Sequence, residues 1–64
     1  MTVTFKENET GLLIAVKNVV SITSDEMLLK KSLAKCWTVT RNNGKEIKTV
    51  ALPKRAYQIE SIER

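Results

Sequence analysis

Alternating apolar and polar residues open the chain. In Thr2-Val3-Thr4-Phe5-Lys6, Val3 and Phe5 share one face of an extended strand, and Thr2, Thr4 and Lys6 share the other. The polar stretch Glu7-Asn8-Glu9-Thr10-Gly11 reads as a hairpin connection into Leu12-Leu13-Ile14-Ala15-Val16-Lys17. Leu12, Ile14 and Val16 are placed there to face the core, which leaves Leu13 and Ala15 needing other cover. Asn18 interrupts the run before Val19-Val20-Ser21-Ile22-Thr23, where a short turn or bulge can reset the inward face. Val20 and Ile22 are the expected core pair.

Ser24 to Cys36 supports two readings of equal weight. Ser24 can cap a helix whose first turn carries Asp25 and Glu26, with Leu29, Leu33 and Cys36 along one side at helical spacing. Alternatively, Met27-Leu28-Leu29 is a short strand, Lys30-Lys31-Ser32 a turn, and a further strand begins near Leu33. The clearest local signal lies in Trp37 to Val50, a hairpin closed by a three-residue loop, Asn42-Asn43-Gly44, with the glycine in the left-handed position. That register sets Val39 opposite Ile47 and Trp37 opposite Thr49 on an apolar face. Thr38 and Thr40 then meet Lys48 and Glu46 on a charged one. A two-residue Asn43-Gly44 turn would put Val39 across from Lys48, against the pattern.

Leu52-Pro53 marks the next break, since proline either starts a helical turn or precedes a strand. The preferred reading is a turn over Pro53 to Ala56 followed by a strand through Ile62. Tyr57 and Ile59 share a face of that strand, and Ile62 joins them only through a bulge or twist; an amphipathic helix using Leu52, Ala56, Ile59 and Ile62 is the alternative. The organisation also echoes itself. A hairpin followed by Asn18-Val19-Val20-Ser21-Ile22 is matched by a hairpin followed by Arg55-Ala56-Tyr57-Gln58-Ile59, which two packed sheet units would explain and which any two hairpins can share by pattern.

Threonine, valine and isoleucine supply 18 of 64 positions, a β-branched fraction that favours strands. The expected fold is therefore α+β, predominantly antiparallel β-sheet built from hairpins with one short helix over Ser24 to Cys36; a small all-β barrel is the alternative. With two glycines, one proline and no linker-like stretch, residues 1–64 read as a single domain. The expected core is Val3, Phe5, Leu12, Ile14, Val16, Val20, Ile22, Leu29, Trp37, Val39, Ile47 and Ile59. Val3-Thr4-Phe5, Lys17-Asn18-Val19-Val20-Ser21-Ile22, Asn43-Gly44-Lys45 and the segment from Leu52-Pro53 through Ile59 together resemble, in style, the small β-rich proteins of phages and prophages of Gram-positive bacteria. The resemblance covers most of the chain, implies an accessory or regulatory role, and carries no assigned residue, activity or partner.

Composition removes several chemistries. The chain has no histidine and one cysteine, Cys36, so Cys/His zinc sites, intramolecular disulfides, Cys-His nucleophilic pairs and histidine acid/base work are all excluded. Cys36 reads as a small core hydrophobe. Glu7 with Glu9, Asp25 with Glu26, and Glu60 with Glu63 read as solvated charges, and Gly11 and Gly44 are too far apart to form a phosphate-binding loop. No enzyme, metal or cofactor is expected. Gly11 to Val16 is far short of the roughly 20 apolar residues that cross a bilayer, and the N-terminus lacks an export signal, so a non-membrane, cytoplasmic protein is expected.

Charge alters this plain picture. The net +4 resolves into eight basic residues against Glu46 alone between Lys30 and Arg55, flanked by mildly acidic ends. Lys30, Lys31, Lys35, Arg41, Lys45, Lys48, Lys54 and Arg55 are the candidate interaction surface, with Trp37 and Tyr57 as candidate aromatic contacts. A lone tryptophan on the face of Val39 is, in the first instance, a core anchor. The expected function is non-catalytic macromolecular interaction with a protein or other acidic macromolecule. A basic nucleic-acid-binding β module and a structural subunit that self-associates as a homo-oligomer are the alternatives.

Overall fold

Local chemistry builds the first hairpin as the pattern predicts. In the computed structural model, which describes all 64 residues, β1 (Thr2–Glu7) pairs antiparallel with β2 (Leu13–Val16), setting Val3 opposite Val16 and Phe5 opposite Ile14. Gly11 takes a φ of 75° and donates to the Glu7 carbonyl at 2.8 Å. The Thr10 hydroxyl donates to Glu7 Oε1 at 3.0 Å and accepts from the Leu12 N–H at 3.2 Å, which satisfies the tight connection.

Asn18 is where the chain turns from one sheet into another. It adopts a φ of 60°, tolerable for asparagine and costly for the β-branched residues beside it. β3 (Val19–Leu29) then begins, and its pairing with β4 (Ser32–Asn42) skips Val20 as a bulge between Val19↔Arg41 and Ser21↔Thr40. The bulge points both Val19 and Ile22 inward. Val20 is 59% exposed and Val19 is buried, so the expected pair Val20 and Ile22 is corrected to Val19 and Ile22.

The expected helix over Ser24 to Cys36 is absent; the segment is the end of β3, a turn and the start of β4, and the fold is all-β. Tertiary pairing overrides the helical spacing. β4 is the central strand of its sheet, and running β3 alongside it satisfies backbone groups from Val19 to Leu29 that a helix would withdraw from the ladder. The turn consists of Lys30 and Lys31 at φ of 47° and 71°, two left-handed residues as a type I′ hairpin requires.

The next hairpin forms in a different register from the expected one. β4 pairs with β5 (Ile47–Pro53) as Val39↔Val50 and Trp37↔Leu52, three residues away from Val39 opposite Ile47. An odd shift exchanges faces. Val50 and Leu52 share a face, of which Leu52 packs on the core and Val50 stays 44% exposed, and Ile47 is left 69% exposed on the other. The connection uses both asparagines as acceptors: Asn42 Oδ1 from the Gly44 N–H at 2.9 Å, and Asn43 Oδ1 from Lys45 and Glu46 at 3.2 and 3.1 Å. Gly44 holds the anticipated left-handed conformation at a φ of 91°.

After a turn over residues 54–56, β6 (Tyr57–Glu63) pairs with the free side of β1, with Phe5↔Ile59 and Thr4↔Ser61 leaving Glu60 as a bulge. The bulge sets Ile62 on the same strand face as Ile59; Ile59 packs on the core, and Ile62 stays 49% exposed at the edge. Two three-stranded antiparallel sheets result, β2-β1-β6 and β3-β4-β5, and they do not close into a barrel. Val3, Phe5, Val19 and Val39 form the buried cluster between them, with Val16, Ile22, Trp37, Leu52, Tyr57 and Ile59 packed around it. Cys36 is also buried, whereas Leu12, Ile14, Val20 and Ile47 of the expected core are exposed and Leu29 is half-buried.

The internal echo is real in the pairing, with an alignment different from the expected one. Thr2-Val3-Thr4 and Thr38-Val39-Thr40 occupy equivalent places, each with a valine opposite its central valine (Val16, Val50) and a bulged third strand beyond (Val20-Ser21-Ile22, Glu60-Ser61-Ile62). Each hairpin takes its third strand from the other half of the chain. The two inward-bulge assignments make a direct test: Val19→Ala should cost about 2 kcal/mol in urea unfolding. Val20→Ala should stay within about 0.5 kcal/mol, and equal losses would refute the bulge.

Candidate functional site

Proline determines where the site begins. Pro53 is the last residue of β5 and sits opposite Cys36, and with no N–H of its own it suits a strand end. The next residue, Lys54, donates its N–H to the Lys35 carbonyl at 2.9 Å, after which the chain turns away, closed by the Ala56 N–H on the Pro53 carbonyl at 3.1 Å. Asn8 fastens that turn from the other sheet: its side chain donates to the Arg55 carbonyl at 2.9 Å and its N–H to the Ala56 carbonyl at 2.9 Å.

Meanwhile β3 and β4 continue together past the end of β5. Beyond the Lys54 bond to Lys35, Glu26↔Lys35 through Leu29↔Ser32 have no third strand beside them and form a projecting two-stranded arm. Between arm and turn lies an open notch of about 1040 Å³. Lys30, Lys35, Lys54 and Arg55 line it, accompanied by one acid, Glu26. None of these four cations is in an ion pair, so their potential is directed to solvent and to whatever enters.

The aromatic candidates lie in the wall rather than on its surface. Trp37 is half-buried against the core, donates Nε1–H to the Tyr57 carbonyl at 3.3 Å, and carries the Lys54 ammonium 4.2 Å from its ring centroid. The indole thereby fixes the position of Lys54. Tyr57 packs on the same core at the start of β6.

The structure thus brings together half of the sequence-derived cations. Lys31 stands next to Lys30 at the arm tip. Arg41, Lys45 and Lys48 belong to the other end of β4, where Arg41 Nε donates to the Lys17 carbonyl at 2.9 Å and Lys48 pairs with Glu46 at 3.2 Å. That exposed pair is worth at most about 1 kcal/mol. Glu26 and Pro53 join the site through the fold; besides the basic residues themselves, the proline break after Leu52 is the sequence signal for the notch.

No three His, Cys, Asp or Glu side chains converge as a metal site, and no helix is long and apolar enough to cross a membrane. No protein-family model, curated protein or solved structure matches the chain, so no residue role is carried over from a relative and the reading of the notch rests on its geometry.

The Lys30-Lys31 turn places charge where backbone sterics would choose Asn-Gly. Each non-glycine residue in the left-handed region costs on the order of 1 kcal/mol. Lys30→Asn combined with Lys31→Gly should raise unfolding stability by about 1 kcal/mol or more in urea titration, and an unchanged or lowered midpoint would show that the turn stores no strain.

Proposed function

We propose that the protein is a small non-catalytic nucleic-acid-binding module that grips a phosphate backbone in the notch between the arm and the Pro53–Ala56 turn. The observation that carries this reading is the convergence of Lys30, Lys35, Lys54 and Arg55 on one concave surface with none of them ion-paired. Cations so placed gain from counterion release when phosphates replace their ion atmosphere, and Arg55 can engage a phosphate through two N–H groups. Recognition would be of the backbone and without base stacking, since Trp37 has its N–H committed to Tyr57 and its ring under Lys54.

A cytoplasmic setting suits this role and the single thiol at Cys36. An accessory protein of phage type fits the same size and charge. The protein-binding role expected from the sequence would use the same basic residues, against an acidic protein surface in place of phosphate.

Fluorescence anisotropy with labelled single- and double-stranded oligonucleotides across a salt series tests the proposal. Affinity should fall with salt, and Lys35→Gln, Lys54→Gln and Arg55→Gln together should flatten the log-log slope by roughly 2 to 3. Lys45→Gln with Lys48→Gln should change it far less. Absence of binding at about 50 mM salt, or equal effects from the two sets, would overturn the reading.

A further inference from the structure

Phosphates alone do not account for the lining of the notch. Leu33 stands there among Lys30, Lys35, Lys54 and Arg55. Leu33 and Lys35 are two residues apart on β4 and so share one face of the arm, and Leu28, directly opposite Leu33, lies on that face as well. The two leucines are 70% and 71% exposed, so a ligand seated on these cations also meets an apolar surface. Nucleic acid presents both partners, phosphates along its edges and apolar base groups between them.

We infer that the ligand is B-form duplex DNA and that the arm enters its major groove. Resting on the nucleic-acid reading of the notch, this narrows the ligand to one class and adds a contact with base edges to the grip on the backbone. The dimensions select the groove. From Lys35 at its base to Lys31 at its tip the arm spans roughly 13 Å, at about 3.3 Å per residue. The major groove is about 12 Å wide and takes a two-stranded ribbon, whereas the minor groove, about 6 Å wide, is too narrow for one. An arm entering over one phosphate edge therefore brings Lys35, Lys54 and Arg55 to that edge and carries Lys30 and Lys31 to the other. Glu26, the one acid of the notch, stands opposite Lys35 and leaves the cations in excess. Leu28 and Leu33, between base and tip, face the groove floor, where the thymine C5-methyl is the apolar group on display.

Other nucleic acids match less of the site. Single strands bind by stacking their bases on aromatic faces, and the three aromatic residues of this chain offer no such platform. Phe5 is buried, Tyr57 packs on the core, and Trp37 carries Lys54 over its ring. Duplex RNA has a major groove too deep and narrow for side chains to read.

Fluorescence anisotropy of the intact chain, at one salt concentration and with labelled probes of one sequence and length, tests the assignment. The DNA duplex should bind roughly tenfold tighter than the RNA duplex or the DNA single strand. Replacing thymine by uracil in the DNA duplex removes only the C5-methyl and should weaken binding roughly fourfold, as the loss of one buried methyl group implies. Leu28→Ser with Leu33→Ser should abolish that thymine preference while keeping the wild-type salt slope and far-ultraviolet β-sheet spectrum, because both side chains are exposed in the free protein. A DNA duplex bound no tighter than the other two probes, indifference to the thymine methyl, or a double-serine variant that retains the preference would overturn the inference and leave the phosphate grip standing. No binding to any of the three probes would overturn both.

Discussion

At Asn18 the backbone leaves one sheet and enters the other, and the placement of both sheets depends on that left-handed residue. The corner is tied on either side by main-chain bonds. The Met1 ammonium donates to the Val19 carbonyl at 3.0 Å, the Val19 N–H returns a bond to the Met1 carbonyl at 2.9 Å, and the Asn18 carbonyl accepts from Asn42 at 3.0 Å. Only with the corner closed do Val19 and Ile22 meet Val3, Phe5 and Val39. Burial of each such side chain stabilises by about 1.5 to 3 kcal/mol, so a cluster of four leaves little margin if the sheets lose alignment.

The pairing divides the chain into two similar units, Thr2 to Ile22 and Thr38 to Ile62, that exchange their third strands. The places where the units differ are informative. Phe5 and Ile14 of the first correspond to Arg41 and Lys48 of the second, so the fully buried Phe5 has a charged, solvent-reaching counterpart and the second unit adds no equivalent side chain to the core. Residues 23–37 join the units and have no counterpart in either. Glu26 to Lys35 of that joining segment became the arm, and with the departure of β5 at Pro53 it created the notch. The site is therefore a product of the connection between two repeats.

Strand content, the two glycine turns and the break at Asn18 were legible because each follows from local sterics: alternation of apolar residues, left-handed glycines, and an asparagine among β-branched neighbours. The final turn and strand through Ile62 form as the pattern indicates, and a bulge at Glu60 sets Ile62 on the side of Ile59, where it remains 49% exposed. The readings that failed were non-local. Helical spacing of Leu29, Leu33 and Cys36 was genuine but lost to the ladder with β4, and the loop after Asn42 closed with a register three residues from the expected one. All four cations of the notch were visible as charge, yet nothing in the linear order separated Lys35 and Lys54, which share the notch, from Lys45 and Lys48, which do not.

The amino-acid sequence by itself determined that this would be a β-rich chain with a small core, a basic central segment, no histidine and no intramolecular disulfide, since these depend on residue identity and neighbours alone. Tertiary structure decided register, the bulged residues Val20 and Glu60, the conversion of Ser24 to Cys36 into an arm, and which cations converge. A strand's partner determines which of its faces is buried, and a shift by one residue reverses every side chain. Those choices were settled by the burial of Val3, Phe5, Val19 and Val39 together, a condition that no single segment of the chain expresses.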